Sequence, residues 1–194
     1  MPTVEIYYSF KTNSDPFLVT EMVRCGANMD CASKGEIRKA LELGIPREKI
    51  LYANPCKKDD HLEYARNNGI NLMTFDCCEE AENIAKIHPN AELILRIVVA
   101  NTDAPNPMSK KFGAPPDHWS PILDTCKRLN MRVRGVSFHV GTGGCSFSAY
   151  GDSIKNCKFV FELAKKKGMA EMDILDIGGG FSMCAENPNN NFDK

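Results

Sequence analysis

What the sequence lacks narrows its chemistry first. No apolar run approaches the ~20 residues needed to span a bilayer, so no membrane helix is expected. Neither charge is in surplus: 24 Lys and Arg stand against 25 Asp and Glu, for a formal net charge of -1. That balance removes the pull toward nucleic acid or anionic lipid that a basic chain would carry. Histidine is scarce, with four residues spread widely, so a Cys/His metal cluster has little to build on. The opening MPTVEIYYSFK has neither the charged start nor the apolar stretch of a secretion signal. Cysteine is plentiful at nine, yet the count is odd, and no Cys-x-x-Cys pair occurs among Cys25, Cys31, Cys56, Cys77, Cys78, Cys126, Cys145, Cys157 and Cys184. Several lie in apolar stretches, where a reduced thiol packs as a small hydrophobe. Free thiols and a cytoplasmic setting are the expectation.

What is present describes an ordinary globular chain: 194 residues, 43% hydrophobic and 25% charged, enough for one domain with a full core. Short β-rich runs alternate with amphipathic segments. The expected strands are Val4 to Phe10, Asn28 to Cys31, Ile50 to Ala53, Leu72 to Phe75, Leu93 to Val99, Arg134 to Val140 and Ile174 to Ile177. Between them, Ser14-Asp15-Pro16 opens a helix that Gly26 closes, and Ser33 with Glu36 has the spacing of a capping box ahead of a helix ended by Gly44. Further helices are expected over Asp59 to Asn67, Cys78 to Ile87, Asp117 to Leu129 and Ser148 to Lys167, the last with Ile154, Cys157, Phe161 and Ala164 on one face.

Alternation of strand and helix implies parallel strands joined by crossovers, an α/β fold. A dinucleotide-binding sheet should place glycines after its first strand, and VEIYYSFKTN has none. Seven evenly spaced strands suit a (β/α)8 TIM-type barrel better. A complete barrel usually takes ~250 residues, so about seven βα units are expected here, in one partial domain over residues 1–194. The Pro-rich stretch Asn101 to Pro116 is either a long surface connection or a lid over the barrel mouth. The Asn-rich end ENPNNNFDK has the composition of a frayed terminus.

In a barrel, functional groups collect where strands end at their C-terminal side. Lys11, Asp30, Asn54, Arg96, His139 and the run Gly178-Gly179-Gly180 all fall at or near such ends. A strand-end lysine is ordinarily a solvated cation, but one held in a dry mouth loses its proton more readily and can attack a carbonyl. Glycines directly after a strand make a tight turn, and they also let backbone N–H groups approach a phosphate. His139-Val140-Gly141-Thr142 puts a hydroxyl and more open backbone beside that turn. Arg96, inside the apolar run LILRIVV, needs an acidic partner, and Asp30 is a candidate for it or for Lys11.

With those residues in view, the chain resembles the eukaryotic-type ornithine decarboxylases and their relatives, pyridoxal-phosphate (PLP) dependent decarboxylases with an alanine-racemase-like barrel. The blocks that carry the likeness are YYSFKTN, MDCASKGEI, ILYANPCK, MTFD, LILRI, KFGA, GVSFHVGTG and LDIGGGF, in order along nearly the whole chain. The resemblance implies that Lys11 bonds the PLP cofactor and that Asp30 and Glu36 line the site near it. It implies that Arg96 lies beneath the cofactor, that His139 stacks on its ring, and that Thr142 with Gly178, Gly179 and Gly180 binds its phosphate. Thr142 stands where the family commonly has serine, a departure that keeps the hydroxyl.

The family also has a segment before the first strand, an eighth βα unit and a C-terminal β domain, none of which these residues contain. Little activity is therefore expected of this stretch alone. The implied reaction converts ornithine to putrescine in a head-to-tail homodimer. A decarboxylase for another basic amino acid and a non-catalytic regulator resembling antizyme inhibitor are the alternatives, and an antizyme-like protein is an implied partner.

Overall fold

The structure, a computed structural model, describes residues 4–99, 111–142 and 147–181. Within them seven strands alternate with six helices: β1 (Tyr7–Ser9), α1 (Pro16–Arg24), β2 (Asn28–Cys31), α2 (Lys34–Glu42), β3 (Ile50–Tyr52), α3 (Asp59–Asn67), β4 (Leu72–Phe75), α4 (Cys78–Ile87), β5 (Glu92–Arg96), α5 (Pro116–Arg128), β6 (Arg132–Ser137), α6 (Phe147–Lys166) and β7 (Ile174–Asp176). The strands form one sheet in the order β1-β2-β3-β4-β5-β6-β7, each pair parallel. A doubly wound sheet reverses its strand order partway; strictly sequential winding is that of a barrel. The fold is an incomplete (β/α) barrel, with β1 and β7 as the edges of the described sheet.

Local chemistry sets the helix starts. Asp15 caps α1 by accepting from the N–H groups of Phe17 and Leu18, and Pro16 takes the first helical position, where no N–H is needed. Ser33 caps α2 through the Glu36 N–H, but the Glu36 carboxylate returns to the N–H of Ala32, at 2.6 Å, rather than to that of Ser33.

Several boundaries differ from expectation. β1 is three residues, and Val4 and Ile6 ahead of it are exposed. β5 ends at Arg96; Ile97 beyond it bridges to Ala114 instead of extending the strand. β6 starts at Arg132 and ends at Ser137, so His139 lies two residues past the strand rather than ending it. The inner face of α6 is Ala149, Ser153, Cys157, Val160 and Ala164, while Ile154 is exposed. Cys157 and Ala164 were placed correctly; the small Ala149 and Ser153, which let the helix sit close to the sheet, carry no hydrophobic signal. The lid reading of Asn101 to Pro116 falls mostly on residues 100–110, and that stretch, like Cys145, Cys184 and the tail, lies outside the described residues.

The outer face of the sheet packs on the helices: Met29, Cys31, Met73, Phe75, Leu93, Leu95 and Ile97 belong to one buried cluster. Strand alternation turns Asn28, Asp30, Thr74, Glu92, Ile94 and Arg96 to the inner side. At the N-terminal end of that interior Arg134 pairs with Glu92 at 2.5 Å and with Asp173 at 2.6 Å. β6 and β7 approach so closely that a Cβ on Gly135 would collide with the Ile174 carbonyl.

One ion pair locks the middle of the sheet. The Lys57 ammonium is fully buried, 2.8 Å from Glu80, and donates to the carbonyls of Thr74 (2.7 Å) and Asn54 (3.1 Å). It ties the β3–α3 loop to the end of β4 and the first turn of α4. Removing one partner of a buried pair strands the other charge. Glu80→Ala is expected to cost about 3–5 kcal/mol in urea unfolding, and the paired change Lys57→Met with Glu80→Leu to cost less.

Candidate cofactor site

The mouth of the barrel gathers the strand-end residues. Lys11 follows β1 and Asp30 lies near the end of β2, where Ser9 pairs with Asp30 in register. Arg96 closes β5 beside Ser137 of β6. Asp176 closes β7, and its Oδ1 accepts the N–H of Gly178 at 2.8 Å. The glycine turn lies directly on the end of β6: a Cβ on Gly178 would collide with the Phe138 carbonyl, and one on Gly180 with that of Gly141. Both residues have positive φ, 66° and 91°, so their lack of side chain answers two demands at once. Tyr150 of α6 fastens the turn by donating its hydroxyl to the Gly179 carbonyl, and its ring stacks on Phe181.

Electrostatics show how far the sheet curls. Asp30, on β2, feels the charges of Lys11 after β1, Asp176 on β7, Glu36 on α2 and Arg96 on β5. Tyr7 of β1 feels Asp176 of β7 and Arg134 of β6. Lys11 and the residues beside the glycine turn are therefore within electrostatic reach of one another, although their strands are the two edges.

Burial raises the Asp30 carboxyl to about 6, more than the nearby Lys11 offsets, and Asp30 Oδ1 is buried with no hydrogen-bond partner among the described residues. Burial likewise raises Asp176, with the Gly178 N–H and Arg96 pulling the other way. Burial lowers Arg96, opposed in turn by Asp176, Asp76 and Asp30. His139 is driven down to about 4, by burial first and then by the charges of Arg96 and Lys11. Its Nδ1 accepts the Gly141 N–H at 3.0 Å, so the neutral ring carries its proton on Nε2.

The expected residues fall into three groups. Asp30, Arg96, His139 and the three glycines meet at the mouth. Lys11 joins them in electrostatic reach but is exposed rather than dry, because β1 is an edge strand. Thr142, also exposed, stands beside Gly141, while Gly143 and Gly144 lie outside the described residues. Glu36 lines a cavity with Phe10, Lys11, Ser14, Ser33, Gly35 and Lys39, although one of its oxygens is committed to Ala32. Asn54 is a turn residue, accepting from the Cys56 N–H. Of the two partners expected for Asp30, Lys11 acts on it more strongly than Arg96 does, and the acid that weighs most on Arg96 is Asp176.

These residues fit a flat, phosphorylated aldehyde cofactor. A neutral imidazole stands beside a side-chain-free turn, where a Cβ on Gly179 would come 3.6 Å from His139 Nε2, and the Lys11 amine and a carboxylate oxygen of Asp30 with no partner among the described residues lie within electrostatic reach. The chain matches, over residues 1–194, the family described as pyridoxal-dependent decarboxylase, pyridoxal binding domain. It belongs to this family.

Among its decarboxylase relatives, the ornithine decarboxylase of Schizosaccharomyces pombe is 42% identical over 181 residues, covering 93% of this chain and 42% of that protein. Antizyme inhibitor 2 of Xenopus laevis is 41% identical over 93% of this chain and 40% of its own length. The agmatine-bound arginine decarboxylase of Paramecium bursaria Chlorella virus superposes with a TM-score of 0.92 at 36% identity, over 96% of this chain and 50% of that one. The lysine/ornithine decarboxylase of Vibrio vulnificus complexed with putrescine gives 0.85 at 30% identity, over 95% of this chain and 48% of that one. The chain thus spans less than half the length of these curated relatives.

Asp30 yields a pH test. Its folded pKa, about 6, lies above the ordinary carboxylate value, so its contribution to stability is present below about pH 4 and is lost as pH rises through 6. In cofactor-free protein Asp30→Asn is expected to remove that loss, stabilising by up to about 3 kcal/mol at pH 8 and by much less at pH 4. Urea unfolding at the two pH values checks it.

Proposed function

We propose that the whole protein decarboxylates ornithine to putrescine, with PLP held in the mouth described above. The observation that carries this reading is the meeting of His139 and the glycine turn at the barrel mouth, within electrostatic reach of Arg96 and Lys11. The names of the relatives at about 40% identity point to ornithine, and the putrescine in the Vibrio vulnificus complex supports a diamine product.

When bound, PLP supplies an electron sink for the carbanion left by loss of carbon dioxide. The chain's own residues do the rest. Lys11 would hold the cofactor through its amine. His139 presents a neutral imidazole, so its face can lie against a ring without adding a second cation beside Arg96. Asp30, with its pKa raised to about 6, can take up a proton on the acid side of neutrality. Arg96 balances Asp176 and Asp30, and Thr142 with Gly178, Gly179 and Gly180 would receive the phosphate. Glu36, beside Lys11, adds negative charge that favours a cationic substrate.

A decarboxylase for another basic amino acid is the second reading, favoured by the solved arginine and lysine/ornithine enzymes. A regulator is the third, favoured by the antizyme inhibitor relative. The protein is proposed to work in the cytoplasm as a homodimer and to bind an antizyme-like partner.

In the full-length protein, borohydride should fix PLP to the peptide containing Lys11, and Lys11→Ala should lower carbon dioxide release from ornithine on the order of a thousandfold. Fixation at a different lysine would remove Lys11 from its role. Faster turnover of arginine or lysine than of ornithine would transfer the activity to the second reading, and absence of turnover on all three would favour the regulator.

A further inference from the structure

We propose that Asp76 is a positioning residue for Arg96: it clamps the segment after residue 110 to the mouth so that Phe112 covers the Arg96 guanidinium. The inference rests on the reading of this mouth as the cofactor site, and it adds a residue outside those already assigned to it.

Asp76 follows β4, and its Oδ2 accepts the N–H of Gly113 at 2.8 Å, across 37 residues of chain. On the far side of Gly113, Ala114 donates to the Arg96 carbonyl at 2.8 Å and accepts from Val98 at 3.1 Å, making a bridge beside Ile97. The backbone is pressed so close to β5 that a Cβ on Gly113 would stand 2.8 Å from Val98 N, and its φ of 110° is a glycine conformation. Phe112 is thereby carried over Arg96, with the guanidinium carbon 5.2 Å from the ring centroid. A cation over a ring face keeps an attractive partner while losing water on that side.

Asp76 is itself held from behind. The Lys57 ammonium fixes the Thr74 carbonyl two residues earlier and pairs with Glu80 four residues later, so the β4–α4 turn has an anchor on each side of Asp76. Asp76 is also one of three carboxylates, with Asp176 and Asp30, whose charges Arg96 feels. The chain of contact therefore runs from a buried ion pair, through a carboxylate and a backbone N–H, to an aromatic face on the central cation. A guanidinium released from that face would shift relative to Asp176 and His139, the groups it serves.

The test uses full-length protein with Asp76→Ala, Asp76→Asn, Phe112→Leu and the double change Asp76→Ala with Phe112→Leu. Hydrogen exchange at the Gly113 amide and kcat and KM for ornithine are read together. Asp76→Ala is expected to speed exchange at Gly113 and to lower kcat/KM on the order of tenfold to a hundredfold, mainly in kcat. Asp76→Asn keeps an oxygen acceptor and should recover most of both. Phe112→Leu should lower kcat with slow exchange retained, and the double variant should be no worse than Asp76→Ala, because both changes break one link.

Unchanged exchange in Asp76→Ala, losses that multiply in the double variant, or failure of Asp76→Asn to recover activity would each overturn the proposal. Should Asp76→Ala not fold, Phe112→Leu with full activity overturns it equally. A wild-type protein inactive on ornithine but slow to exchange at Gly113 would count against the proposed substrate and leave the clamp standing.

Discussion

The cationic head of Arg96 is the constraint around which the mouth is organised. It closes β5 on the inner side of the sheet, where burial disfavours its charge, and Asp176, Asp76 and Asp30 oppose that penalty. Each acid comes from a different strand end, so their meeting requires the sheet to curl. A flat sheet of the same order would hold β2 and β7 five strands apart, at roughly 4.8 Å per strand, too far for Asp30 to feel the charge of Asp176 as it does. The curvature is thus both the architectural result and the condition for the electrostatics.

The two ends of the interior solve the charge problem differently. At the N-terminal end Arg134 donates two hydrogen bonds to Asp173 and one to Glu92, and the charges are paired by direct contact. At the mouth the charges sense one another at longer range, and Asp30 keeps an oxygen without a partner among the described residues. The first arrangement is what stability alone would select. The second leaves unspent interaction capacity where a ligand can use it, as barrels do at their C-terminal face.

Much of this was legible from residue order. Alternating strand and helix signals gave the class, the absence of glycine after Val4 to Phe10 argued against a dinucleotide sheet, and strand ends pointed to Lys11, Asp30, Arg96, His139 and the glycine run. The same rule applied to MTFD and ILD would have reached Asp76, which follows β4, and Asp176, which closes β7. Phe112 and Lys57 were beyond it. A phenylalanine in a polar connection looks like an unremarkable turn residue until the chain folds back on β5, and a lysine after Asn-Pro-Cys reads as solvated until Glu80 arrives from 23 positions downstream. Partnerships of that kind are tertiary, and no local pattern encodes them. The strand lengths erred for a related reason: apolar residues past Arg96 and Ser137 are buried by loops and helices as well as by sheet, so hydrophobicity overran the ladders.

The distribution of rigidity also bears on what the mouth can do. The middle of the sheet is fixed: β4, β5 and β6 share the longest ladders, and the Lys57–Glu80 pair and the Asp76 clamp bind their connecting loops. The edges carry the two groups a cofactor would bridge, the amine of Lys11 beyond a three-residue β1 and the glycine turn beyond a three-residue β7. A molecule held by both would cross-link the edges through a centre that is already in place. Its binding would then order the least tied strands rather than rearrange the charged core, and it would stabilise the native chain by mass action in proportion to its affinity. Arg96 and His139 need not move for this. Their neutral-beside-cationic arrangement is set by burial and by their immediate neighbours, before any ligand arrives.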